Sequence, residues 1–255
     1  MPAFIKPFPA TPIHSLVFYV KGGINAYNPK ADTVQEFPKI AINGQQVSRF
    51  DFHLPHEYLM FSINFQPCAL SKFLRLPLVD FVDKRIDAEA ILSPHIQNVY
   101  EQLEYAQDYP TMVKTVEQYL WQRIQSLKTD MRPIDEVSCL MIHQKQYIPV
   151  ERWAQWACLS VSQFERRFMQ LMGVSPKLFL RINRFHKAFE MKDQNPELEW
   201  LSIAHDLDYS DYQHLVKDFK QFSGSTPKTL LQEAALAPEK ILHFKSPTST
   251  LLKPK

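Results

Sequence analysis

Glycine is scarce in this chain: five in 255 residues, at positions 22, 23, 44, 173 and 224. A loop that wraps a phosphate with its backbone needs several glycines close together, so P-loop and dinucleotide-binding motifs are excluded. Cysteine is rarer still, with Cys68, Cys139 and Cys158 far apart and no Cys-x-x-Cys pair. That spacing argues against a disulfide scaffold and a cysteine-based zinc centre, and fits reduced thiols in a cytoplasm. No apolar run approaches the roughly 20 residues needed to cross a bilayer. The first residues carry no basic stretch leading into an apolar core, so no signal peptide is expected. Charge of one sign is missing too: 29 Lys and Arg against 27 Asp and Glu leave a net +2. The totals therefore describe a soluble cytoplasmic protein with no membrane partner, and they do not announce a strongly basic nucleic-acid binder.

What is present is apolar material, 45% of residues, enough for one large domain or two ordinary ones. Residues 1 to about 70 contain short β-rich runs at Ser15–Val20, Lys39–Ile42 and Tyr58–Phe65, each ended by turn formers. Asn43-Gly44 is a hairpin signal. The spacing of apolar residues then lengthens. Leu70, Phe73 and Leu74 fit one helix, Ile96, Val99, Tyr100 and Leu103 a second begun by Ser93-Pro94, and residues 111–128 an amphipathic third. That third helix either packs on the β-rich part or forms a dimer seam. The expected fold is α+β: a small antiparallel sheet or cupin-like barrel with helices over 1–130, an all-α domain over 132–232, and a loose tail over 237–255. Lys128 to Pro133 is the expected linker.

The most informative feature lies in the last third. Ser160-Val161-Ser162-Gln163-Phe164-Glu165-Arg166-Arg167-Phe168, then Gly173 and Ser175-Pro176-Lys177, is repeated imperfectly 51 residues later. The second copy is Asp211-Tyr212-Gln213-His214-Leu215-Val216-Lys217-Asp218-Phe219, then Gly224 and Thr226-Pro227-Lys228. Each copy follows a short helix with a small residue, Ala154 or Ala204, where a second helix would cross closely. Ser160 and Asp211 are suited to N-capping that second helix, and Gly173 and Gly224 to ending it with positive φ. Two helices joined by a short turn form a helix-turn-helix, whose second helix enters a major groove. Two matched copies suggest two like surfaces for a target that repeats, and DNA repeats its grooves every turn.

Phe164, Phe168 and Leu171 mark the inner stripe of the first such helix, leaving Ser162, Gln163, Glu165, Arg166 and Gln170 outside. Leu215, Phe219 and Phe222 do so in the second, leaving Tyr212, Gln213, His214, Lys217 and Lys220. Gln reads adenine and Arg reads guanine through paired hydrogen bonds. Between the copies, Arg181, Arg184 and Lys187 recur every three residues and form a basic strip. Residues 150–232 nevertheless hold eleven cations against ten anions, so non-specific affinity and salt slope should be modest.

These motifs resemble the DNA-binding domain of the AraC/XylS family of bacterial transcription regulators, over about residues 132–230. The Ile203-Ala204 pair, Phe219-Lys220 and the Gly224-Ser225-Thr226-Pro227 segment carry most of the likeness. The resemblance implies a seven-helix domain with two recognition helices in successive major grooves. Ser162, Glu165 and Arg166 would then face bases from one helix, and Tyr212, Gln213, His214 and Lys217 from the other. Chemistry adds Gln163, Lys220, Arg181 and Arg184 as DNA-binding groups. Asp208 and Cys158 stand where glycines are usual in the family, and Leu230-Leu231 replaces its usual closing Tyr-Arg. Glu165 and Asp218 would repel phosphate unless they accept from cytosine. Phe65-Gln66-Pro67-Cys68 and Leu76-Pro77-Leu78 resemble a sensor-type domain of some such regulators.

The spacing of His53, His56 and Glu57 does not match the His-x-His set of metal-binding cupins, and Cys68 lacks a base, so no metal, cofactor or catalytic residue is expected. Phe18, Tyr19, Phe50, Phe52, Phe61 and Phe65 form a core or, failing that, an effector pocket. The expected partners are promoter DNA, RNA polymerase, a small effector and a second copy of the chain, in a regulator of the activating kind. The alternative is a helical interaction scaffold fused to a small-molecule-binding or enzymatic β-domain.

Overall fold

The computed structural model describes residues 4–92, 94–127 and 130–237. Among the described residues eight strands precede most of the helices: β1 (Phe4–Phe8), β2 (His14–Lys21), β3 (Asn25–Asn28), β4 (Thr33–Glu36), β5 (Ile40–Asn43), β6 (Phe50–Leu54), β7 (Leu59–Phe65) and β8 (Arg85–Asp87). They make two open four-stranded antiparallel sheets, ordered β1-β6-β3-β4 and β7-β2-β5-β8, rather than a closed barrel. Side chains alternate across a strand, and β2 uses both faces. Leu16, Phe18 and Val20 enter a core shared with the helices, while Val17 and Tyr19 enter a second core with Ile24, Ala41 and Leu54. The Phe18 and Phe50 rings are fully buried and Tyr19 nearly so, as core residues.

The helical layer over the second sheet comprises α1 (Ala69–Leu74), a 3₁₀ turn at Val79–Phe81, α2 (Glu89–Leu92), α3 (His95–Tyr105) and α4 (Tyr109–Leu127). The α4 helix packs Met112, Val116, Tyr119 and Leu127 into this core and leaves Val113, Trp121 and Ile124 exposed. Two sequence expectations need correction. Strand β8 extends the sheet beyond residue 70, where only helix was expected; three residues are too few to show a period. Asn43-Gly44 ends β5 without making a hairpin, because β5 pairs with β2 and β8 and the chain then crosses to the other sheet. Gly44 is needed for closeness instead: a Cβ there would lie 2.2 Å from the Phe81 carbonyl oxygen. Ser93, Lys128, Thr129 and residues 238–255, hence nearly all of the expected tail, lie outside the described residues.

Pro133 then starts α5 (Pro133–His143), followed by α6 (Val150–Trp156), α7 (Val161–Met172), α8 (Pro176–Gln194), α9 (Trp200–Asp206), α10 (Tyr212–Ser223) and α11 (Pro227–Ala235). Helix α8 joins two cores. Its Phe179 packs with Trp153, Phe164 and Phe168, while its Ile182, Phe185 and Ala188 pack with Ile203, Leu215, Phe219 and Phe222. Among the described residues no helix is long and apolar enough to cross a membrane.

The sheets and these helices are in contact. His14 on β2 is buried where it meets the Met172 backbone, and burial lowers its pKa to about 4, against the hydrogen bonds to Met172 and Gln45 that raise it. The sign follows from proton binding. Unfolded chain takes up a proton near pH 6.5 and the folded chain only near 4, so stability falls as pH drops through that window. At about 1.4 kcal/mol per pKa unit, the loss amounts to about 3 kcal/mol by pH 4. Denaturation midpoints measured from pH 7 to 4 should show this slope, and His14→Gln should remove its share; an unchanged slope would dismiss His14 as the cause.

Candidate nucleic-acid interface

The repeat in sequence is a repeat in structure. Helices α7 and α10 both have 12 residues, with starts at 161 and 212 and ends at 172 and 223, again offset by 51. Ser160 Oγ accepts from Gln163 N–H, and Asp211 Oδ1 accepts from His214 N–H, so both N-caps act as expected. Gly173 and Gly224 close the helices at φ 80° and 67°. Ala154 and Ala204 are buried on α6 and α9, which lets the following helix cross near the backbone. Cys158 and Asp208 hold the left-handed conformation at φ 55° and 52° where glycine is usual. Asp208 has a further task, since its Oδ2 accepts from Tyr147 N–H at 2.6 Å.

On α7, Phe164, Phe168 and Met172 are buried, and Ser162, Gln163, Glu165 and Arg166 are exposed on the other side. Gln163 is also tied back to the helix start: its Oε1 accepts from Ser160 N–H at 3.3 Å, completing a capping box. On α10, Gln213, Lys217 and Lys220 are exposed, and Tyr212 and His214 are half-buried. Arg166 and Lys217, equivalent under the offset of 51, thus both reach solvent from the middle of their helices.

The basic strip on α8 has a different arrangement from the one expected. Asp218 is fully buried, and Arg181 Nη2 donates to its Oδ1 at 2.6 Å while Arg184 Nη2 lies 3.5 Å from Oδ2. The Arg181 guanidinium also lies over Phe222, and that of Arg184 lies 4.0 Å from the centre of the Tyr209 ring. Arg184 donates to the Asp208 carbonyl and approaches His214 Nε2, whose other ring nitrogen meets Ser210 Oγ. Lys187 donates to the Gln144 carbonyl, and burial with nearby Lys145 lowers its pKa to about 8. Arg181 and Arg184, counted from sequence among the DNA-binding groups, are thus half-buried tethers of α10 to α8. His214 is partly drawn into the same network. Asp218, read as a carboxylate facing phosphate, points inward and is neutralised.

That inward turn was missed because period alone does not tell a buried carboxylate from an exposed one. The clue lay in the first copy, where the position equivalent to Asp218 is Arg167, exposed. A paired Arg181 and Arg184 one turn apart on the bridging helix was the other half of that clue. Buried Asn183 lies between them and donates to the Met141 and Ile142 carbonyls, anchoring α8 to α5.

Residues 153–233 match the sequence profile of a helix-turn-helix domain family, of AraC type. The chain carries an AraC-type helix-turn-helix domain. The match begins at Trp153 in α6 and ends within α11, so it takes in both copies of the AraC-type unit. Comparison with curated proteins gives no sequence match. Among solved structures, ToxT from Vibrio cholerae O395 shares 11% identical residues, covers 91% of this chain and 94% of its own, and superposes with a TM-score of 0.51. A substituted apo ToxT from Vibrio cholerae strain SCE256 gives 11%, 92%, 94% and 0.50. At that identity the likeness is one of fold, and it extends through the sheets as well as the AraC-type domain. The protein is a DNA-binding transcription regulator.

Proposed function

We propose that the chain activates transcription by reading two successive major grooves of promoter DNA. The reading groups are Ser162, Gln163, Glu165 and Arg166 on α7, and Tyr212, Gln213, His214, Lys217 and Lys220 on α10. The carrying observation is the pair of matched helices that bury their apolar stripes and expose polar and charged side chains on the opposite side. Burial of Asp218 strengthens the reading, because it removes a carboxylate from the face that meets phosphate. The work is binding, and the protein needs no catalytic residue.

A small effector acting through the N-terminal domain completes the proposal. The cleft of about 680 Å³ lined by Ser71, Lys72, Arg75, Asp130, Arg132 and Gln170 lies beside the linker and offers such a molecule a polar place to bind. Exposed Val113, Trp121 and Ile124 on α4 offer an apolar face for a second copy. RNA polymerase is the remaining partner, met once the protein sits on a promoter.

Fluorescence anisotropy of the full chain on genomic fragments tests the core of this reading, with salt-sensitive binding as the expected result. On a fragment so selected, Arg166→Ala should weaken binding by about 1–3 kcal/mol if the guanidinium reads a guanine. Equal weakening on random DNA would make Arg166 a phosphate contact. No salt-sensitive binding to any fragment would remove the function.

A further inference from the structure

The N-terminal domain touches both recognition helices, each time near the C-terminal end. Ala10 N–H donates to the Phe222 carbonyl at 3.0 Å, and Leu78 N–H donates to the Gln170 carbonyl at 2.8 Å. Cys68 N–H donates to Met172 Sδ at 3.1 Å, and Arg49 Nη1 donates to the Ser223 carbonyl at 3.3 Å. Met172 and Ser223 are the last residues of α7 and α10, and 172 plus 51 is 223. The capping glycines face the same domain: Gly173 lies against the Leu78 carbonyl and Gly224 nearest to Arg49. The unsatisfied carbonyls of a helix end need partners, and here a separate domain supplies some of them to both copies.

The segment that bridges the two points is the loop between β5 and β6. Val47 packs against the core of the first copy and against that of the second. The loop is stiff. Asp83, at φ 55°, accepts from Val47 N–H, Ser48 N–H and Ser48 Oγ. Buried Gln46 donates to the Phe8, Pro9 and Ser48 carbonyls and accepts from Arg85. A non-glycine residue kept in the left-handed region is tolerated only where its surroundings over-determine it. Arg49 then ends the loop with Nε on Asp51 at 2.7 Å and Nη1 on Ser225 Oγ at 2.8 Å and Glu233 at 2.7 Å.

We propose that this loop is a spacer that fixes the pose of α10 relative to α7, making Arg49 a positioning residue for reading two grooves at once. The proposal rests on the DNA-binding reading for its use and on the geometry alone for its existence. Two linked reading heads gain over one only when their separation matches the target's. A domain that bonds the ends of both heads sets that separation, and any shift in its sheets moves both.

Two measurements on the full chain test it. Nitroxide labels at Met169→Cys and Lys220→Cys, in a Cys139→Ser and Cys158→Ser background, report the distance between the helices by pulsed electron resonance without DNA. A narrow distribution is expected, broadened in Arg49→Gln and in Glu233→Gln, and restored in Arg49→Lys. Glu233 is partly exposed on α11, so its variant folds even if that of Arg49 does not. The second probe is a duplex selected from a random pool by the unsubstituted protein, with and without five base pairs inserted midway. Half a turn puts the two grooves on opposite sides. The unsubstituted protein should lose binding on insertion, and Arg49→Gln should discriminate roughly tenfold less between the two duplexes. An unchanged distance distribution in both variants overturns the spacer. If no duplex binds at all, the DNA reading falls, and the distance measurement still decides the spacer.

Discussion

Replacing Arg181 with alanine should destabilise the C-terminal domain by about 3 kcal/mol, an effect far larger than that of a surface ion pair. The reason is the partner that stays behind. Asp218 has no exposed surface, and its nearest cation is Arg181 at 2.6 Å, with Arg184 weaker at 3.5 Å. Removing the nearer guanidinium leaves a desolvated carboxylate with half its compensation. It also strips the packing of Arg181 over Phe222 and its bond to Gln221. Paired removal should cost less than the sum. Asp218→Asn keeps the shape and takes away the charge, so Arg181→Ala combined with Asp218→Asn should recover part of the loss. Urea denaturation of the four proteins of this cycle measures the coupling. A loss below about 1 kcal/mol for Arg181→Ala would assign the pair to the class of surface bridges and leave α10 held by its apolar stripe alone.

The same residues mark where sequence reading succeeds and where it stops. Helix ends were legible because capping is local chemistry: Ser160, Asp211, Gly173 and Gly224 each do what their side chains, or lack of one, allow within three or four residues. The inner stripes were legible from their period, and Phe164, Phe168, Leu215, Phe219 and Phe222 are all fully buried. The fate of Arg181 and Arg184 was not legible, because it depends on a residue 34 to 37 positions away on another helix. Asn43-Gly44 was misread for a related reason. A glycine that turns the chain and a glycine that admits a carbonyl look alike in sequence, and only the position of Phe81 tells them apart. The contacts of Ala10 and Arg49 with helix ends are the least legible, since they span more than 150 residues and involve backbone carbonyls that have no signature.

Gly173→Ala should be much more damaging than Gly224→Ala, although both glycines end equivalent helices in the same conformation. The shared part of the cost is the left-handed backbone, about 1–2 kcal/mol for an alanine at φ 80° or 67°. At Gly224 little is added, because a new methyl meets only the Arg49 side chain at 4.0 Å. At Gly173 the methyl would lie 2.7 Å from the Leu78 carbonyl oxygen and 3.1 Å from Val82. The oxygen belongs to backbone whose own N–H is bonded to Gln170, so it has little freedom to move away. Overpacking of that kind adds about 1–3 kcal/mol, which makes the total for Gly173→Ala about 3 kcal/mol or more. The difference between the two copies therefore measures how tightly the N-terminal domain sits on the end of α7. Thermal or urea midpoints of the two variants should be separated, with Gly173→Ala the lower. Equal losses would mean that the contact between Leu78 and Gly173 is loose enough to open around a methyl group, and that α7 is held from the N-terminal side by the Cys68 contact with Met172 instead.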